Sequence, residues 1–105
     1  RVARYVRAGF RVVDPRRVAY LQPDFRAAEA IDASGLAPLP LLLLVRDVGH
    51  EARQALSGGE LRTMIDALYA MYGVHQRAGD MAPLRARLAE LPAPGEKVAL
   101  LDHVA

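Results

Sequence analysis

The sequence predicts an α/β fold of the α+β kind, with a sheet portion in residues 1–47 and a helical extension in residues 48–105. Three observations predict this class. Short β-prone segments occupy the first half, apolar residues recur at helical spacing in the second, and glycine or proline separates the segments. At 105 residues the chain is long enough for one core, so we expect a single domain or a fragment of one.

The chain is predicted to open with a helix over residues 1–8. Val2, Tyr5 and Val6 share one face of this helix, while the arginines between them point elsewhere. Gly9 is expected to end the helix, because glycine adopts positive φ without a Cβ clash. A short strand over residues 10–13 follows.

Residues 18–45 are predicted to hold a β-prone segment, a short helix and a strand. A β-prone segment ends at Pro23, and Asp24 is predicted to cap a helix over residues 25–31, with an insertion loop of one helical turn as the alternative. Residues 39–45 form the strongest predicted strand. Their apolar run is continuous, so we expect a central strand covered on both faces, with Pro40 at its beginning.

The second half is predicted to hold two helices. Ser57 and Glu60 have the spacing of a capping box, and Asp80 is predicted to cap the second helix with Pro83 in its first turn. The apolar stripes comprise Leu61, Met64, Ile65, Leu68 and Tyr72 in the first helix and Leu84, Leu88 and Leu91 in the second. Residues 98–101 are predicted to be a last extended piece.

Composition argues against several kinds of site. The chain has no cysteine, which excludes disulfides and thiolate-bound metals. His50, His75 and His103 are isolated and lack the spacing of a metal site, so no metal is expected. No serine-nucleophile motif or phosphate-binding P-loop is present, so a hydrolase or nucleotidase is not indicated.

The charge distribution and the hydropathy limit the classes of partner that the chain is expected to bind. Residues 1–17 hold six arginines against one aspartate, a net charge of +5 that suits either bound phosphates or a solvated helix face. Neither a helix-turn-helix pattern nor interleaved aromatics accompany them, so a nucleic-acid partner is not expected. The longest apolar stretch contains two prolines and falls short of the roughly 20 residues that span a bilayer. With no visible leader, a cytoplasmic protein without a membrane partner is expected.

Three segments together resemble a known family. Residues 5–11 read Tyr-x-x-x-Gly-Phe-Arg, residues 20–23 read Tyr-Leu-Gln-Pro, and residues 41–46 read Leu-Leu-Leu-Leu-Val-Arg. These segments, with the helical tail from Ser57 to Leu91, resemble the C-terminal part of one bacterial branch of the GNAT acetyltransferase superfamily. The resemblance implies the end of a mixed sheet with helices, followed by a helical extension, and an acetyl-CoA-dependent transfer to an amine.

The resemblance also implies a role for Tyr5. In that family the corresponding tyrosine often donates a proton to the departing CoA thiolate, which makes Tyr5 the candidate catalytic residue. The alternative is that Tyr5 packs with Val2 and Val6 against a sheet.

The chain departs from the family in one important respect. The loop Gln/Arg-x-x-Gly-x-Gly/Ala, which holds the diphosphate of acetyl-CoA, does not occur, and Gly58-Gly59 suits the helix cap better. The activating carboxylate of the family also lies upstream of the tyrosine. The cofactor-binding residues are therefore unknown, and we expect the chain to be inactive by itself.

Two hypotheses follow for function. In the first, the chain is the C-terminal portion of an N-acetyltransferase, and its partner is the upstream half of the same domain. In the second, it is a small interaction or dimerisation module whose residues 41–45 pair with a partner strand. Because an unpaired apolar edge invites association, we expect the isolated chain to dimerise or aggregate.

Overall fold

A computed structural model of the chain describes residues 2–104, so the expectations for Arg1 lie outside the described residues. The elements, in chain order, are α1 (Val2–Arg7), β1 (Arg11–Val13), β2 (Tyr20–Gln22), α2 (Ala28–Ser34), β3 (Leu39–Leu41), β4 (Leu44–Val45), β5 (Ala55–Ser57), α3 (Gly58–Tyr72), α4 (Ala78–Ala86) and β6 (Lys97–Leu101). Short 3-10 turns at Gly73–His75 and Arg87–Glu90 follow α3 and α4. The predicted α+β class is confirmed.

A four-stranded sheet with the order β4-β1-β6-β5 forms the centre of the fold, and all its pairs are antiparallel. The last strand of the chain, β6, is an inner strand, which pairs Leu101 with Val12 and Val98 with Leu56. Its alternating burial fits a sheet with one covered face. Residues 48–105, predicted as a helical extension, thus contribute β5 and β6 to the same sheet as β1 and β4.

The prediction of one central strand over residues 39–45 is wrong. This segment divides into β3, which pairs only with β2 in a separate two-stranded ribbon, and β4, which is an edge strand of the main sheet. All three residues of β3 are exposed. Pro40 has no N–H for a second neighbour, which suits a two-stranded ribbon better than a sheet interior.

Helix α3 packs its apolar stripe on the main sheet and on the β2–β3 ribbon. Leu61 and Ile65 are buried in a core with strand residues Val13, Leu56 and Val98. Tyr69 fixes the ribbon, because its hydroxyl donates to the backbone oxygen of Leu21 at 2.7 Å and its ring stacks on Tyr20. The buried stripe of α3 therefore ends at Tyr69. Tyr72, which was predicted to belong to the stripe, is half-buried and contacts Phe25.

The cap predictions had mixed outcomes. The capping box of α3 is confirmed in both directions, from Glu60 N–H to Ser57 Oγ and from Ser57 N–H to Glu60 Oε1. The cap assigned to Asp80 is wrong, since α4 begins after Arg77 and Asp80 is its third residue. In that position the Asp80 carboxylate still favours the positive end of the helix dipole, and it accepts a hydrogen bond from Arg77.

The cap assigned to Asp24 is also wrong. Helix α2 begins at Ala28, three residues later than predicted, and no side chain caps it. The buried Asp24 carboxylate instead accepts hydrogen bonds from Arg26 and from the backbone N–H of Ala37, at 2.8 Å for Ala37. These contacts hold the pKa of Asp24 well below its usual range and close the loop that contains α2.

Candidate functional site

The turn from α1 to β1 carries the candidate catalytic residue. Gly9 has φ 96°, its N–H donates to Val6, and the N–H of Phe10 reaches back to the backbone oxygen of Tyr5 at 2.9 Å. This pair of hydrogen bonds is a Schellman motif, which ends a helix with glycine in the left-handed region. The prediction that Gly9 ends the first helix is confirmed.

The same motif determines the environment of Tyr5. A Schellman turn brings the residue after the glycine against the residue three places before the cap, here Phe10 against Tyr5. Their ring centroids are 6.1 Å apart with an edge-to-face geometry. The spacing Tyr-x-x-x-Gly-Phe thus has a structural basis of its own, and the contact between Tyr5 and Phe10 was not anticipated from the sequence.

Tyr5 is not part of the core. Its side chain is 46% exposed, and no residue of α1 is buried. Ala3, Arg4, Tyr5 and Arg7 line a depression of about 380 Å³ on this helix. The Tyr5 side chain is thus partly covered by Phe10 and partly open to solvent.

Strand β4 lies beside this turn. The side chain of Arg46, which follows β4, crosses Gly9 so closely that an added Cβ would stand 3.0 Å from its Nε. The backbone oxygen of Leu43, the residue before β4, accepts a hydrogen bond of 2.9 Å from the Val13 N–H. Backbone groups of antiparallel strands alternate in direction, so those of Leu44 point away from β1. The turn that ends α1 therefore contacts the residue that follows the edge strand β4.

A depression of about 440 Å³ lies beside β4. Its lining includes the apolar Val45, Leu56 and Met64 and the acidic Asp47 and Glu60. Arg53 bridges the two carboxylates, with both guanidinium nitrogens on Glu60 at 2.7 and 2.8 Å and one on Asp47 at 3.2 Å. The bridge lowers the pKa of Glu60 to about 2.

The start of α3 offers no glycine-rich cradle for the diphosphate of acetyl-CoA. The N–H groups of Gly58 and Gly59, at the start of α3, donate to the backbone oxygens of Glu96 and Pro94 at 2.8 and 3.1 Å. A Cβ at Gly58 would lie 2.2 Å from the backbone oxygen of Pro92. Glycine is required at this position because the two backbone segments pack closely together. Gly58 and Gly59 therefore do not fit a bound diphosphate, and their role is structural.

The remaining polar residues do not converge. The three histidines lie apart, and residues 2–104 hold no group of three acidic or histidine side chains placed to bind a metal. Tyr20 is buried with its hydroxyl unpaired in this part of the chain, and burial raises its pKa to about 12. No helix in residues 2–104 has the length and apolar character required to cross a membrane.

Comparisons of the chain with models of protein families, with curated proteins and with solved structures find no match. The functional argument therefore depends on the arrangement of the residues themselves.

Proposed function

We propose that the chain is the C-terminal portion of an acetyl-CoA-dependent N-acetyltransferase, completed by another portion that binds the acetyl donor. The observation that carries this proposal is the exposed Tyr5 at a Schellman turn that contacts Arg46, the residue after the edge strand β4. Both features lie in the segments that resemble the acetyltransferase family. Tyr5 is the candidate general acid.

The incomplete burial of α1 supports the proposal. Isolated helices shorter than about 12 residues are marginal in water, so a six-residue helix needs tertiary contacts. Yet none of its residues is buried, and its apolar residues Val2 and Val6 are only half-covered. A partner surface that covers α1 and pairs with β4 would supply these contacts.

The dimensions of the molecule point the same way. Its accessible surface is 6644 Å², whereas a complete domain of 11.4 kDa exposes about 5800 Å². Its radius of gyration is 14.9 Å, against about 13 Å for a complete domain of this length. The excess surface is what a portion of a larger domain would present.

The test uses the full product of the gene that contains this chain. We expect acetyl-CoA to bind it in calorimetry with a dissociation constant on the order of micromolar to millimolar, as is usual for enzyme substrates. Tyr5→Phe should lower kcat by about 100-fold or more, the usual contribution of a general acid. Tyr72→Phe serves as the matched control and should leave kcat unchanged.

Two results would contradict the proposal. One is a full gene product that binds no acetyl-CoA. The other is the lack of a Gln/Arg-x-x-Gly-x-Gly/Ala loop within about 60 residues before Arg1, the length of a βαβ unit with its crossover.

A non-catalytic interaction or dimerisation module is the second candidate. The open edge of β4 favours it, because Leu41 and Leu42 beside that edge are 41% and 40% exposed and no charged residue lies in residues 39–45. Strand addition at such an edge joins proteins through backbone hydrogen bonds. Acetyl-CoA calorimetry separates the candidates, since the module would give no heat of binding.

A further inference from the structure

Two arginines of α1 differ from every other arginine in residues 2–104. The others each contact an acidic side chain or a backbone oxygen, as Arg62 does with Asp66 and Arg87 with Glu90. Arg4 and Arg7 make no such contact within the described residues, and both are exposed. They are therefore the arginines that residues 2–104 leave available to a ligand.

The positions of Arg4 and Arg7 suit a single ligand. Residues three apart on a helix are neighbours on its surface, so the two guanidinium groups share one face, opposite the face of Val2 and Val6. Both arginines line the depression of about 380 Å³, together with Ala3 and Tyr5. No acidic residue occurs between Val2 and Val13, so the local charge is uncompensated.

We infer that Arg4 and Arg7 form a binding site for a doubly charged phosphate group of a soluble small molecule. Two guanidinium groups one helical turn apart offer forked donors to several oxygens of one phosphate ester or diphosphate. The inference does not depend on the proposed function, because it concerns binding by this chain.

The test uses inorganic pyrophosphate as the probe and amide and arginine Nε–H signals in NMR as the readout, at low ionic strength. We expect shifts at Arg4 and Arg7 and saturable binding. The double variant Arg4→Gln/Arg7→Gln should weaken binding at least about tenfold, since hydrogen bonds between charged groups are among the strongest in proteins. Its melting temperature should not change, because α1 buries no residue.

The matched control is Arg62→Gln/Arg87→Gln, which removes the same charge from two ion-paired arginines. Binding within about twofold of wild type is expected for this control. Equal losses in both double variants would overturn the inference, because they would mean that only net charge attracts the probe. Tighter binding to vesicles containing phosphatidic acid, or to single-stranded nucleic acid, than to pyrophosphate would overturn the assignment to a small molecule.

Discussion

At the scale of single residues, two adjacent glycines have unlike roles. A Cβ on Gly58 would overlap the backbone oxygens of Pro92 and Ala93 at 2.2 and 2.3 Å, whereas one on Gly59 would meet nothing closer than 3.4 Å. The chain after α4 thus packs directly on the first residue of α3. The sequence predicts the capping box that contains both glycines, but which of them is closely packed depends on the distant residues 92–93.

We predict that Gly58→Ala lowers the free energy of unfolding by about 1–3 kcal/mol, the usual cost of overpacking a tight contact. Gly59→Ala should leave it unchanged or raise it by up to about 1 kcal/mol, because alanine is the better helix former. Urea unfolding of both variants measures the difference. Equal destabilisation would show that the approach of Pro92 is not the cause.

At the scale of elements, α3 is held at its start by side chains from two directions. Ser57 and Glu60 complete the capping box, and Arg53 binds the same Glu60 carboxylate from the preceding loop. The capping box was predictable because its partners are three residues apart. The contribution of Arg53 was not, since no local pattern connects a loop arginine with a helix cap.

Glu60 should make the stability of α3 sensitive to acid. Its pKa falls from 4.5 to about 2 in the fold, so the unfolded chain takes up its proton first as the pH drops. The stabilisation is complete above pH 4.5 and is lost progressively toward pH 2. We therefore expect Glu60→Gln to be less stable than wild type at pH 7, with the difference shrinking as the pH approaches 2.

Urea unfolding across this pH range measures the effect. Asp66→Asn, on an exposed position of the same helix, is the control and should retain the pH dependence of wild type. A constant difference between Glu60→Gln and wild type at all pH values would contradict the assignment to the Arg53–Glu60 pair.

At the scale of the whole molecule, the open edge of β4 directly follows the exposed Leu41 and Leu42 along the chain. Arg46, after β4, contacts Gly9 at the end of α1. Proteins often guard such edges with charged residues, and no charged residue lies in residues 39–45. This region is where association of the isolated chain should begin.

We predict that the isolated chain self-associates with increasing concentration in sedimentation velocity. Leu42→Lys should suppress the association, because a lysine beside the edge opposes strand pairing, while the melting temperature stays within a few degrees of wild type. Arg62→Lys is a control that preserves charge on a distant surface. A wild-type chain that remains monomeric at all concentrations would contradict the prediction and favour a self-sufficient domain.

The sequence by itself determined the local features of this protein. The end of α1 at Gly9, the capping box of α3 and the exposed placement of Arg4 and Arg7 all depend on residues within a few positions of one another. Tyr5 could likewise be singled out from a short motif, but its contact with Phe10 and its exposure required the structure.

Only the tertiary structure decided which strands pair. β6 became an inner strand because Val12 meets Leu101 and Leu56 meets Val98, pairs that are separated by most or much of the chain. The division of residues 39–45 between two sheets and the contact of Arg46 with Gly9 likewise depend on residues that are distant in sequence. Strand pairing joins distant residues through backbone hydrogen bonds, which side-chain periodicity does not encode.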